Sequence, residues 1–246
     1  MGIVERLRAA GCVFAEEEAE LILATPGDHE AMVARRVAGL PLEHVLGWAE
    51  FRGIRVRVDP GVFVPRRRSG FLVERAAGLA RAGDVAVDLC CGSGALGAAL
   101  RAAVDVELYA ADIDPAAVRC ARRNVPGEVF EGDLFAPLPE TLRGRVRVLL
   151  ANVPYVPSGE VAFLPGEARD HEARVALDGG HDGLEVLRRV AAEAGTWLAP
   201  GGHLLTEASD RQAAVAVDVL EAGGLEARIA RSDELDATVV IGTRTA

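Results

Sequence analysis

The chain has 246 residues, is 50% hydrophobic and 26% charged, and carries a formal net charge of −10. That length supports one or two domains with a full core and no disulfide staples, and no apolar run approaches the roughly 20 residues that a membrane span needs. The acidic balance argues against a nucleic-acid binder, whose affinity rests on neutralising phosphates.

From about Ile3 to Leu46 the apolar residues recur at helical spacing, in "VERLRAAG", "EEEAELILAT" and "HEAMVARRVAGL", with Gly11, Pro26-Gly27 and Gly39 as breaks. This reads as a small helical domain over residues 1–48. Its start is acidic within the first turns and lacks a signal-peptide pattern. Ile54, Val56 and Val58 then alternate with Arg55, Arg57 and Asp59, which is a strand pattern. "DPG" reads as the turn and "VFV" as the return strand, so a β-hairpin over residues 49–68 is expected to link two domains.

Residues 69–246 alternate strands and helices. The strands are "VAVDL", "VELYAAD", "GEVFEGD", "RVRVLLAN", "HLLTEA", "LEARIAR" and "TVVIGTR". The helices are "ALGAALRAA", "PAAVRCARRN", "LEVLRRVAAEAGTWL", which stops at Pro200-Gly201-Gly202, and "RQAAVAVDVLEAG". Such alternation predicts an α/β domain with seven strands, mainly parallel, and helices on both faces. "SDELDA" between the last two strands is too short for a parallel crossover, so that pair is predicted to be antiparallel. The four cysteines form no C-x-x-C pair and no cluster of zinc spacing, so no metal ligand is expected and the thiols read as those of a reduced, cytoplasmic protein.

"VDLCCGSGALG" follows the first of these strands and opens a helix. Gly92, Gly94 and Gly97 give G-x-G-x-x-G, in which glycines admit a ligand close to the backbone at a helix N-terminus. Asp112, at the end of the next strand, sits where a carboxylate accepts ribose hydroxyls. The nucleoside cofactor is either a dinucleotide or S-adenosylmethionine. Asp88 enters the loop, where it would repel a pyrophosphate but assist a cation, and Asp133 in "GDLF" is placed to accept from an adenine amino group. Helix capping is the competing role for both. Further on, the apolar run Val148 to Ala151 ends in Asn152-Val153-Pro154-Tyr155. An amide, a rigid turn and an aromatic ring at the C-terminal end of a parallel strand read as a substrate pocket.

"VDLCCGSGALG", "AADIDPAAV", "GDLF" and "NVPY", in that order, resemble class I methyltransferases that act on planar amide or amine nitrogens. "PLEHVLGWAEFRGIRVRVDPGVFVPR", "EARVALDGGHDGLEVLRRV" and the helical N-terminus extend the resemblance over nearly the whole chain to the HemK/PrmC family of protein-(glutamine-N5) methyltransferases. The resemblance implies a Rossmann-like methyltransferase domain, S-adenosylmethionine as cofactor, and the Gly-Gly-Gln glutamine of a peptide chain release factor as methyl acceptor. It places Asp88, Cys90, Gly92, Gly94, Asp112, Ile113, Asp133, Leu134 and Asn152 at the cofactor. It also implies that the Asn152 side-chain oxygen and the Val153 carbonyl grip the two amide N–H groups, beside Pro154 and with Tyr155 packed on the planar group.

There are departures. Val153 stands for the first proline of Asn-Pro-Pro-Tyr, Cys90 for a common glycine, and "PRRRSG" (residues 65–70) for "PRPETE". These leave open the same chemistry on another protein, peptide or small molecule. An NAD-dependent oxidoreductase would explain the glycines but not Asn152 to Tyr155, and a non-catalytic cofactor sensor is separable from both by mutating Asn152.

Overall fold

A computed structural model describes residues 2–245 of the chain. Four short helices come first: α1 (Ile3–Ala9), α2 (Ala15–Ala24), α3 (His29–Val37) and α4 (Leu42–Leu46). Leu7, Cys12, Ala15, Ala19, Ile22 and Val33 form a small core of their own. Asp28 caps α3 by accepting from the Ala31 amide at 3.1 Å. Arg36 is buried and makes a forked pair with Glu18 at 2.6 and 3.0 Å. Its Nη1 also donates to Glu167 at 2.6 Å, which ties these helices to the wall of the cleft described below. A buried pair of this kind repays its desolvation only with such multiple contacts.

The hairpin differs from expectation. Strands β1 (Trp48–Phe51) and β2 (Ile54–Arg57) pair antiparallel, with Phe51 opposite Ile54. The turn is Arg52-Gly53, with φ of 48° and 77°, the left-handed pair that matches strand twist. "DPG" is not the hairpin turn, and Val62 to Val64 form no strand. The alternation of Ile54, Val56 and Val58 is real, but the partner lies upstream, where Ala49 and Phe51 face inward. These apolar residues belong to the same core cluster as the next helix, α5 (Gly70–Ala77), which the sequence pattern did not reveal.

The rest of the chain continues as β3 (Val85–Leu89), α6 (Ala95–Ala103), β4 (Glu107–Asp112), α7 (Pro115–Ala121), β5 (Glu128–Glu131), β6 (Val146–Ala151), α8 (Gly166–His171), α9 (Glu185–Trp197), β7 (Leu198–Glu207), α10 (Ala213–Ala222), β8 (Glu226–Ser232) and β9 (Ala237–Thr243). Strands β3 to β9 form one seven-stranded sheet in the order β5-β4-β3-β6-β7-β9-β8. The first four contacts are parallel, and β9 inserts antiparallel between β7 and β8, as the short last connection requires.

Residues of β3 are buried on both faces, with Ala86 in one core and Val85, Val87 and Leu89 in the other. Helices α5, α6 and α7 and the hairpin cover the first face; α9 and α10 cover the second. Each fully buried aliphatic side chain contributes about 1.5–3 kcal/mol. Pro200-Gly201-Gly202 was expected to separate helix from strand, but β7 already begins at Leu198, with a register slip to Val148↔His203. A Cβ on Gly202 would lie 2.6 Å from the Val146 carbonyl, so only glycine permits that approach. Among the described residues no helix is long and apolar enough to cross a membrane.

Candidate active site

The C-terminal ends of β3, β4 and β6 open into one cleft of about 770 Å³. Its lining includes Asp88, Cys90, Gly92, Asp112, Ile113, Asp133, Leu134 and every residue from Asn152 to Tyr155. Gly94 falls outside the lining; as the left-handed N-cap of α6 (φ 77°) it fixes the turn, and a Cβ there would meet Val125 at 2.4 Å. The order β4-β3-β6 puts the topological switch beside β3, where a ligand is expected in an open α/β sheet.

At one end of the cleft the acidic groups are already held by backbone. Asp88 is 1% exposed, and its Oδ2 accepts from the Gly97 amide at 2.9 Å. A Cβ on Gly97 would stand 3.0 Å from that oxygen and 3.2 Å from Leu108 Cδ1, a crowding that glycine avoids. The expected role of Asp88 in assisting a cation therefore coexists with a structural one at α6. Burial pushes its carboxyl up to about 7; the Gly97 N–H opposes this and the nearby Asp112 charge adds to it. Asp112 accepts from the Gly92 amide at 2.8 Å and from the Asp114 amide at 2.9 Å, which fixes its carboxylate while leaving lone pairs toward the cleft. Burial raises its pKa as well, against those two N–H groups.

Ile113 is 50% exposed and Leu134 is buried in a left-handed conformation (φ 49°). Together they offer apolar surface for a flat base. Cys90 also sits at positive φ (53°), the conformation that glycine adopts freely, which explains glycine in the family pattern. Cys90 is half-buried, and desolvation and then the Asp112 charge raise its thiol pKa, which disfavours a thiolate nucleophile. Asp133 lies two residues beyond β5, is half-exposed, and pairs with Arg189 of α9 at 2.6 Å.

At the other end the polar atoms are not satisfied. The Asn152 Oδ1 is buried with no hydrogen-bond partner among the described residues, and no donor among them reaches the Val153 carbonyl. The loop that carries them is nonetheless braced. Val156 donates to Leu177 O at 3.1 Å, Gly179 donates to Val156 O at 2.8 Å, and Gln212 Nε2 bonds Tyr155 O at 2.9 Å and Asp182 O at 3.1 Å. A Cβ on Gly183 would lie 2.2 Å from Tyr155 O. "LDGGHDG" is thus the buttress of the Asn152 loop, and Asp182 accepts from the Leu184 amide at 3.1 Å at the start of α9.

The Tyr155 phenol accepts from Arg68 Nη2 at 2.6 Å. Burial and then the Glu207 carboxylate raise its pKa, while Arg68 lowers it. Arg66 is held by buried Glu172 at 2.6 and 2.7 Å. In the sequence Arg68 stands out only as part of the departure "PRRRSG", and nothing along the chain reveals that it meets Glu207.

A cleft with fixed carboxylates at a glycine turn, an apolar face for a base, and an orphaned buried amide oxygen fits a nucleoside cofactor that lacks phosphate. Comparison with known proteins agrees. The Methyltransferase small domain family matches residues 53–164. A release factor glutamine methyltransferase of Mycolicibacterium smegmatis is 40% identical over 202 residues, covering 79% of this chain and 71% of the relative. One of Streptomyces coelicolor is 39% identical over 189 residues, covering 74% and 67%. The chain belongs to the release factor glutamine methyltransferase family.

The enzyme is an S-adenosylmethionine-dependent methyltransferase. Its fold is shared with a methyltransferase from Pyrococcus furiosus, with a TM-score of 0.61 at 17% identity over 88% of this chain and 98% of that one. The chain spans about two thirds to three quarters of the two curated relatives named above.

Proposed function

We propose that this methyltransferase modifies the side-chain amide of a glutamine in a peptide chain release factor, within Gly-Gly-Gln. The observation that carries the reading is the pair of free acceptors at the strand end, Asn152 Oδ1 and the Val153 carbonyl. A buried oxygen without a partner costs on the order of 1–3 kcal/mol, and a primary amide supplies the two N–H groups that would remove the deficit.

S-adenosylmethionine supplies an electrophilic methyl group when bound. Asp112 would accept the ribose hydroxyls, Ile113 and Leu134 would flank the base, and Asp133 would accept from its amino group. Asp88, beneath Cys90, Gly92 and Gly94, would favour the positive charge. Asn152 and Val153 orient the acceptor nitrogen, Pro154 stiffens the loop, and Tyr155 packs on the amide plane. These residues contribute positioning and electrostatics rather than proton abstraction before attack.

Residues 1–48 would form a partner-recognition domain and 49–68 a link to the catalytic part at 69–246; the separate core around Leu7 and Ile22 supports the first division. Mass spectrometry of a release factor incubated with enzyme and cofactor tests the reading: the Gly-Gly-Gln peptide gains one methyl group. An unmodified release factor, with cofactor bound to the enzyme, would redirect it to another protein or a small-molecule amide.

A further inference from the structure

Arg68 follows the cleft-lining Pro65 on a short helical turn, Arg67–Ser69, that leads into α5. The turn is closed by the Ser69 amide donating to Arg66 O at 3.0 Å. One end of its guanidinium donates to the Tyr155 phenol at 2.6 Å. The other end, Nε, stands 4.0 Å from Oε2 of Glu207, the last residue of β7. Glu207 is 6% exposed; burial raises its pKa, while the neighbouring Ser69 hydroxyl and then Arg68 lower it.

A buried carboxylate therefore faces the arginine that holds the active-site tyrosine, and its charge lies behind the guanidinium that meets the ring. Arg67, beside it, is exposed and makes no ion pair among the described residues, so the arrangement is particular to Arg68.

We propose that Arg68 is a positioning residue for methyl transfer, anchored by Glu207 and acting through the Tyr155 hydroxyl to set the ring against the acceptor amide. The proposal rests on the assignment of Tyr155 to the acceptor end. The guanidinium fork is suited to the task, because it bonds the phenol with one nitrogen and faces the carboxylate with another.

Two measurements test it, one of them independent of turnover. The chain has two tyrosines, so ¹³Cζ labelling gives two ring signals, and Tyr155→Phe assigns them. Arg68→Met should shift the Tyr155 signal and leave Tyr109 in place, whereas Arg67→Met should move neither. In steady-state assays with release factor, Arg68→Met should lower kcat by about tenfold with cofactor affinity unchanged, a loss typical of a misplaced reacting group. Arg68→Lys should recover part of that loss. In a Tyr155→Phe background, Arg68→Met should have little further effect, because the acceptor through which it acts is gone.

An unmoved Tyr155 signal, or additive losses in the double variant, would overturn the proposal. If the wild-type enzyme methylates no release factor while the Tyr155 signal still responds to Arg68→Met, the substrate reading fails and the anchoring of Tyr155 stands.

Discussion

The two ends of the cleft are built on opposite principles. At the cofactor end each functional carboxylate is already partnered: Asp88 by the Gly97 amide, Asp112 by the Gly92 and Asp114 amides, and Asp133 by Arg189. Around the Asn152 loop the backbone is braced by Gln212 and the Gly179–Gly183 segment, yet the acceptors at the strand end, Asn152 Oδ1 and the Val153 carbonyl, are left without partners among the described residues. A pocket whose groups are satisfied before the ligand arrives is preorganised and loses little order on binding. A pocket whose acceptors wait for a donor discriminates, because a ligand lacking the matching N–H groups leaves them unpaired. The family's single cofactor and more demanding acceptor call for that division of labour.

The sharpest way to break the comparison is Asn152→Ala. With the amide grip removed, kcat should fall by about a hundredfold or more while calorimetric cofactor affinity stays within twofold. Loss of cofactor binding in that variant would assign Asn152 chiefly to the cofactor, the other role the resemblance implies, and not to the acceptor amide.

Asp112→Ala should do the reverse. It removes two backbone anchors and the ribose acceptor together, so the cofactor Kd should rise by about ten- to a hundredfold, with kcat at saturating cofactor much less affected.

The next effect is one of pH. The folded protein holds the Asp88 proton up to about pH 7, while the unfolded chain releases it near 3.8. Its contribution to stability is therefore greatest below that window and is lost as pH rises through it, by roughly 2 kcal/mol between pH 5 and pH 7.5. Asp88→Asn should flatten this part of the denaturation midpoint's pH dependence in the cofactor-free enzyme. Bound cofactor should flatten it too, since a nearby cation favours the ionised form. A slope unchanged by Asp88→Asn would show that Asp88 ionises normally.

The smallest effect is at Cys90. Cys90→Val places a β-branched residue at φ 53° and should cost about 1–2 kcal/mol in chemical denaturation, whereas Cys90→Gly should lie within about 0.5 kcal/mol of wild type. Equal losses in both would mean that packing of the thiol, not backbone strain, governs the position.

Much of the cofactor end could be read directly from the chain, because its logic is local. A strand, a glycine turn and a helix N-terminus follow one another within "VAVDLCCGSGALG", and Asp112 ends the next strand by the ordinary rules of an α/β repeat. Local too was the antiparallel last pair, since six residues cannot span a parallel crossover. The hairpin turn is hidden in the sequence because Asp-Pro-Gly is the stronger turn signal, whereas Arg52-Gly53 places a non-glycine residue at positive φ. Helix α5 escaped because its role is to cover the hairpin and sheet edge, a tertiary need.

What the sequence determined by itself was the alternation of elements, the seven strands, and the residue types at the strand ends, since these depend on periodicity and on neighbours within a few positions. What only the tertiary structure decided was which of those residues meet. Arg68 and Glu207 lie far apart along the chain and approach because α5 packs against β7. Gln212 reaches Tyr155 because α10 follows the end of β7 at the same edge of the cleft. The unpaired state of Asn152 Oδ1 is likewise a property of the surroundings that folding assembles, and no spacing rule along the chain can state it.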